Sequence, residues 1–174
     1  MAFVLACAFP LLTGCGGSEE TAPRTTSAAS QGERFGPPVG HGTGMLNCQT
    51  FAFIGMGPDD WRRSSASFGP LGMLVTDYAK GRRSGDGLFH TKIPTLVEGH
   101  RSVVLSVPRD ERARAGIEVV KPHHPLSRLR LDPCRDRKRT IWAAGVVARD
   151  RGPVTLDVSV AGGRSGTITV GDGG

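Results

Sequence analysis

The chain has 174 residues, a formal net charge of +6, and 25 glycines and 12 prolines. This length fits one domain with accessory segments, and so many glycines and prolines argue against a helical bundle and for short elements joined by turns. Aromatic residues make up only 6% of the chain, so the core must rest on valine, leucine and isoleucine, and stacking on nucleic-acid bases is not expected.

An apolar segment without charge opens the chain at residues 2–12. It is about half as long as the roughly twenty residues that a membrane-spanning helix needs, and it has the length of the apolar part of an export signal. Export signals begin with basic residues, whereas the first lysine or arginine of this chain is Arg24. A start codon further upstream would account for that difference.

The segment ends in Leu12-Thr13-Gly14-Cys15, which resembles the lipobox of bacterial lipoproteins. The resemblance implies that residues 1–14 are a signal peptide and that Cys15 becomes a lipid-modified N-terminus. A diacylglyceryl group has two acyl chains, which anchor a protein durably where a single chain binds reversibly. We therefore expect a protein on the extracytoplasmic face of the cell membrane, anchored by lipid and not spanning the bilayer.

The lipid-bearing cysteine is followed by a polar segment that continues to residue 44. Glycine, serine, threonine, proline and charged residues dominate it, which predicts a disordered linker over residues 15–44. About thirty residues of flexible chain have an r.m.s. reach of roughly 30 Å. The linker would therefore hold the following domain, residues 45–174, clear of the lipid headgroups.

The predicted domain contains short segments with the alternation of apolar and polar residues that is typical of strands. The predicted strands are residues 51–56, 71–78, 103–107, 117–120, 126–131, 140–148, 154–160 and 167–170. A glycine-rich turn separates the last two, which predicts a C-terminal hairpin. The pattern predicts a mostly β domain, either an antiparallel β-sandwich of the immunoglobulin-like kind or a small barrel.

Two cysteines, Cys48 and Cys134, lie within the predicted domain. An exported domain is in an oxidising compartment, where a disulfide can form and persist. We predict that the two are bonded, which would stabilise the fold by roughly 4 to 5 kcal/mol in the chain-entropy model. The alternative is a pair of separate buried thiols.

Familiar catalytic signatures are absent from the sequence, including the nucleophile elbow, the HExxH zinc motif and the phosphate-binding glycine loop. Residues 140–147 and 152–158 resemble segments of small secreted actinobacterial proteins of uncharacterised function, and this likeness implies no activity. The sequence therefore predicts a non-enzymatic binding or envelope protein without a cofactor and without a nucleic-acid partner. Its partner would be an anionic lipid, an anionic wall polymer or an envelope protein.

A basic cluster lies directly after the second cysteine of the domain. Its cations are Arg135, Arg137, Lys138 and Arg139. Such a cluster is either a solvated loop that keeps the domain soluble or a contact for the phosphate groups of lipid or wall polymer. Two arginine pairs, at residues 62–63 and 82–83, would extend a phosphate contact if the fold brings them close.

Two methionines are the basis for an alternative function in metal binding. Met45 and Met56 are spaced as in the first half of the motif of periplasmic copper chaperones, which the sequence resembles at this point. That resemblance implies a Cu(I) site made of thioethers and an imidazole on a β-sandwich. The second half of the motif should supply a histidine and a methionine, but this chain has Tyr78 and Lys80 there.

Adjacent histidines between two prolines, His123 and His124, are the other candidate metal ligands. An extended backbone points neighbouring side chains in opposite directions. Joint chelation of one ion by the pair is therefore awkward, and a solvated surface loop is the simpler interpretation. A third ligand would have to come from His41, His90 or His100.

Overall fold

The computed structural model describes residues 37–50, 66–75, 81–120 and 124–171. The predicted signal peptide, the lipobox and most of the predicted linker lie outside these ranges. In the described residues the regular structure consists of strands alone. No helix there is long and apolar enough to cross a membrane.

Strands β1 to β11 follow one another along the described part of the chain. Their bounds are Thr43–Leu46 (β1), Ala66–Phe68 (β2), Leu71–Met73 (β3), Arg82–Arg83 (β4), Phe89–Glu98 (β5), Val103–Ser106 (β6), Ala115–Val119 (β7), Arg128–Leu131 (β8), Arg139–Ala148 (β9), Val154–Val160 (β10) and Arg164–Val170 (β11). The last two pair along their whole length as an antiparallel hairpin, which confirms the hairpin that the alternating sequence predicts.

The strands form two sheets. The front sheet has the order β1-β8-β6-β10-β11, and the back sheet has the order β2-β3-β5-β9-β7, with β4 paired to the beginning of β5. Pairing is antiparallel except between β1 and β8, which run parallel. The described strands do not close into a barrel, so the prediction of a mostly β, mostly antiparallel sandwich is confirmed.

The core lies between the two sheets and is built from every second side chain. In β10 the valines and the leucine are buried while Asp157 and Ser159 point outward. Trp142 on β9 is fully buried, and its indole Nε1 donates a hydrogen bond to the carbonyl oxygen of Asn47 at 3.2 Å. Full burial of one large apolar side chain stabilises a fold by about 1.5 to 3 kcal/mol, and the core contains many of them.

Strand β5 is not among the predicted strands, although it pairs with β9 over ten residues. Two of its inward positions are threonines, Thr91 and Thr95, and the Thr95 hydroxyl donates to the carbonyl oxygen of Ile93 at 3.1 Å. Pro94 also interrupts the pattern. Its carbonyl accepts from Leu74, just beyond the end of β3, so its missing N–H falls on that side and leaves the β5–β9 ladder complete.

A disulfide joins Cys48 and Cys134, as predicted. It holds the chain just after β1 to the connection between β8 and β9. The domain also reaches further toward the N-terminus than residue 45, because Val39 and Gly40 are already buried. A Cβ on Gly40 would lie 2.8 Å from the carbonyl oxygen of Leu126, so the entering chain is packed tightly against its neighbours.

One glycine in the back sheet is required by close contact between strands. Gly145 lies on β9, opposite Lys92 on one side and Glu118 on the other. A Cβ at this position would overlap the carbonyl oxygen of Thr91. Backbone contact therefore restricts this position to glycine. As a result, no side chain covers the outer face of the back sheet at this point.

Candidate functional site

The turn between β8 and β9 carries the basic cluster that stands out in the sequence. Arg135, Arg137 and Lys138 are exposed, and none of them forms an ion pair with another described residue. Arg139 differs, because its Nε lies 3.3 Å from Glu98 Oε1. Three cations of the cluster thus remain available to a partner.

Several bonds fix the shape of this turn. The Cys134 amide donates to Thr140 Oγ1 at 2.8 Å, and the Gly99 amide donates to the carbonyl oxygen of Lys138 at 2.7 Å. The disulfide to Cys48 adds a covalent link at the same place. These two hydrogen bonds and the disulfide fix the conformation of the basic turn. Less conformational entropy is therefore lost when the turn binds a partner.

Two further arginines lie at the same end of the sandwich. The strand register places Val103 opposite both Leu131 and Val160, so the β5–β6 loop, the β8–β9 turn and the β10–β11 turn lie side by side. Arg101 lies in the β5–β6 loop, and Arg164 is the first residue of β11, directly after the β10–β11 turn. Together with the three free cations of the turn they form what we call the basic end.

The chain enters the domain at the opposite end of the sandwich. The Val39 amide donates to the carbonyl oxygen of Arg112 at 2.8 Å, and Arg149 Nη2 donates to the carbonyl oxygen of Pro37 at 3.0 Å. Both partners lie in connections that follow the far ends of β6 and β9. Ten-residue strands such as β9 extend about 30 Å, which is the approximate separation between the entering chain and the basic end.

The arginine pair at residues 82–83 does not extend the basic end. It forms β4, which pairs with Phe89 and His90 at the beginning of β5, whereas the basic end lies beyond the last residue of β5. The guanidinium of Arg83 instead lies over the ring of Phe89 at 5.7 Å. The other pair, at residues 62–63, lies outside the described residues.

The predicted metal ligands are scattered or lie outside the described residues. Met45 is half exposed on β1, while Met56 and His123 are not described. His124 stacks on His41 with 4.9 Å between ring centroids. His100 Nδ1 lies 3.3 Å from the carbonyl oxygen of Cys134, at the other end of the domain.

One group of potential metal ligands is compact. Within the described ranges, only Cys48, Cys134 and Asp136 bring three ligand atoms within 4.8 Å of one another, counting histidine, cysteine and acidic residues. Both sulfurs are in the disulfide, and a metal needs thiolates rather than disulfide sulfurs. These residues do not fit a metal centre, and copper binding through Met45 stays a prediction.

A hydrogen-bonded group that sequence patterns did not indicate lies at the start of β5. We call Asp86, His90 and Glu118 the His90 cluster. His90 Nδ1 lies 3.0 Å from Glu118 Oε1, and its Nε2 lies 3.1 Å from Asp86 Oδ2. Residues of three separate segments meet here, so only the register of β4, β5, β9 and β7 reveals the cluster.

Electrostatics shift two members of the His90 cluster. Burial alone would lower the pKa of His90, but its bonds to Glu118 and Asp86 outweigh burial and raise the pKa of His90 above 6.5. The backbone amide of Leu88 and the imidazole of His90 lower the pKa of Asp86. The cluster is therefore most strongly bonded when its histidine is protonated and its carboxylates are charged.

Comparisons with protein families, with curated proteins and with solved structures find no match to this chain. Two places offer unpaired charge on rigid elements: the basic end, and a cleft beside the His90 cluster. They lie on different parts of the sandwich.

Proposed function

We propose that this chain is a non-enzymatic lipoprotein, anchored through Cys15 on the extracytoplasmic face of the cell membrane, whose basic end binds an anionic polymer of the cell envelope. The lipobox resemblance, the polar linker and the disulfide-bonded domain support the proposed location. The arrangement of the basic end supports the proposed partner.

The main support for this partner is the position of the basic end relative to the entering chain. Pro37 and Val39 pack at one end of the sandwich, and the unpaired cations lie at the other. A domain attached to a membrane by its N-terminal segment presents that far end to the envelope. A surface meant for lipid headgroups would be better placed beside the anchor.

The chemistry of the basic end suits a polymer of phosphates. A guanidinium offers donors in a planar fork that matches two phosphate oxygens, which a lysine ammonium does not. Four of the five cations are arginines, namely Arg101, Arg135, Arg137 and Arg164. One exposed ion pair contributes little, but several cations on fixed turns can contact successive phosphates of one chain.

The His90 cluster supports a binding role over a catalytic one. Each ring nitrogen of His90 lies within hydrogen-bonding distance of a carboxylate, Nδ1 near Glu118 and Nε2 near Asp86. A general base needs one ring nitrogen directed at its substrate. This histidine is engaged on both sides, so its role is to hold strands together.

The proposed partner can be tested with long-chain inorganic polyphosphate and the purified full-length protein at about 0.15 M salt. The triple variant Arg135→Gln, Arg137→Gln, Lys138→Gln should bind at least about tenfold more weakly, which corresponds to about 1.4 kcal/mol. A matched triple variant at other sites, Arg82→Gln, Arg109→Gln and Arg151→Gln, removes the same charge and should bind within about twofold of the unchanged protein.

Equal weakening in both triple variants would mean that net charge alone drives binding and would contradict the proposal. Vesicles containing phosphatidylglycerol provide the second comparison. Tighter binding to these vesicles than to polyphosphate would identify the basic end as a headgroup contact instead. Binding of neither probe would remove the basic end as the functional surface.

A further inference from the structure

A cleft lies on the outer face of the back sheet, at the end where the chain enters. It has a volume of about 350 Å³, within the range of roughly 300 to 1,000 Å³ that is usual for small-molecule sites. Strands β5, β9 and β7 form its floor and walls. The cleft is separate from the basic end, so its function goes beyond the one proposed above.

The floor of the cleft is apolar and made of small residues. Ala143 lines it from β9, Gly145 is the next residue of β9 on the same face, and Val147 beyond it is fully buried. Because backbone contact restricts that position to glycine, no side chain fills the space between the flanking strands. Val120 and Pro125 add apolar surface at the rim.

Two charged residues face each other across this floor. The register places Lys92 of β5 and Glu118 of β7 opposite the same residue of β9, one on each side. Two strand spacings, about 10 Å, therefore separate their backbones. Both side chains line the cleft, and a small molecule between them can contact both.

Glu118 and Lys92 each have a polar side-chain atom that forms no hydrogen bond with the described residues. Glu118 Oε1 is bonded to His90, but Glu118 Oε2 is buried and has no hydrogen-bond partner. A buried acceptor without a donor is destabilising. Lys92 is exposed, and within the described residues it forms neither an ion pair nor a side-chain hydrogen bond.

We infer that the cleft binds a small zwitterion with an apolar body, namely a free apolar α-amino acid. Its ammonium group pairs with the carboxylate of Glu118, whose side chain is one-third exposed, its carboxylate pairs with Lys92, and its side chain lies on Ala143 and Val120. This arrangement gives the Glu118 carboxylate a charge-assisted partner. It also places apolar ligand surface on the apolar floor and leaves neither charge of the ligand unpaired.

The complementary pair explains why other ligands fit less well. An anion without an ammonium group would bring its charge next to Glu118, and an amine without a carboxylate would leave Lys92 unpaired. Discrimination by a buried polar group that loses its partner is strong, because the unpaired group bears the full cost of desolvation.

The test is calorimetric titration of the purified full-length protein with L-leucine at neutral pH. We expect a dissociation constant below about 1 mM, equivalent to about 4 kcal/mol. Two analogues each lack one charged group. 4-Methylpentanoate, without the ammonium, should bind at least about tenfold more weakly. 3-Methylbutylamine, without the carboxylate, should bind about threefold more weakly, because Lys92, which would pair with that carboxylate, is exposed. A ligand bound at two charged points loses affinity when either is removed.

Variants of Glu118 and Lys92 provide the second part of the test. Glu118→Gln should weaken leucine binding at least about tenfold, and Lys92→Met should weaken it about threefold, because Lys92 is exposed. Arg109→Met, at an exposed position outside both the cleft and the basic end, should leave it unchanged. Lys92 bonds to no described residue, so its variant removes the charge without disturbing the His90 cluster. Thermal melting confirms that each variant is folded.

The inference fails if leucine at about 10 mM gives neither heat nor chemical-shift changes, a concentration that corresponds to an affinity weaker than about 3 kcal/mol. It fails equally if 3-methylbutylamine binds as tightly as leucine, or if Lys92→Met does not weaken binding. None of these outcomes depends on the membrane anchor or on polyphosphate, so the cleft and the basic end are tested independently.

Discussion

His90 Nδ1 lies 3.0 Å from Glu118 Oε1, and this contact joins β5 to β7 across the intervening strand β9. The same imidazole reaches Asp86 in the β4–β5 connection with its other nitrogen. One side chain therefore links three segments at the mouth of the cleft. Its protonation state determines how strongly they are linked.

The first prediction concerns pH. The pKa of His90 is raised above 6.5 in the folded protein, so its stabilising contribution is fully present below pH 6.5 and is lost as the pH rises through the raised value. The pKa of Asp86 is lowered from 3.8, so its contribution is lost only as the pH falls through that lowered value. Urea unfolding from pH 4 to pH 9 should show His90→Gln differing most from the unchanged protein in mildly acid solution.

The matched control for this series is His100→Gln, which changes a histidine at the other end of the domain. Its free energy of unfolding should follow the pH profile of the unchanged protein. A constant difference between His90→Gln and the unchanged protein at all pH values would show that the imidazole contributes packing alone.

The second prediction concerns the disulfide. Cys48 and Cys134 are separated by 86 positions in the sequence, and a loop of this length should contribute roughly 4 to 5 kcal/mol through the unfolded state. The double variant Cys48→Ser, Cys134→Ser should lose about that much free energy of unfolding in a urea titration. Adding reductant should destabilise the unchanged protein but leave the double variant unaffected.

The third prediction compares two glycines. Gly145→Ala should destabilise the domain by about 1 to 3 kcal/mol, because the added methyl group overlaps the Thr91 carbonyl and the strands must move apart. Gly85→Ala, where nothing lies within 4 Å of the added atom, should be neutral or stabilising by up to about 1 kcal/mol. Thermal melts of both variants provide the measurement, and equal melting temperatures would contradict the contact.

The fourth prediction concerns the proposed anchor. Intact mass spectrometry of protein purified from its native membrane should find an N-terminus at Cys15 with the added mass of a diacylglyceryl group. The variant Cys15→Ala should lose that mass and leave the membrane fraction. An unprocessed, unmodified chain would remove the basis for the proposed location, and the +6 charge would then need another partner.

The predicted strand at residues 51–56 lies outside the described residues, and β1, β2, β4 and β5 were not predicted. The strand predicted with the correct bounds, β10, has aliphatic residues at its inward positions. In β10 the alternation is faultless, because Val154, Leu156 and Val158 all point into the core. β5 was missed because threonines occupy inward positions and Pro94 stands in the middle. A threonine can be buried when its hydroxyl bonds to the backbone, as Thr95 does with Ile93, and residue type alone does not show this.

Of the two candidate sites, the basic end is partly visible in the sequence and the cleft is not. The basic turn is visible in the sequence because its cations are consecutive, but Arg101 and Arg164 join it through strand register. Lys92 and Glu118 are 26 positions apart and become neighbours of the same residue, Gly145, only when β9 pairs on both sides. Local patterns cannot predict a site that depends on three paired strands.

The parallel pairing of β1 with β8 has a mechanical consequence. A pull on the N-terminal segment first loads the hydrogen bonds of Pro37 and Val39. It then reaches β1 and loads the hydrogen bonds of that strand along its axis. If β1 were extracted, the extension would stop at Cys48, since the covalent link to Cys134 carries the load into the β8–β9 connection. The domain is thus reinforced at the element that would bear tension between a membrane anchor and a bound polymer.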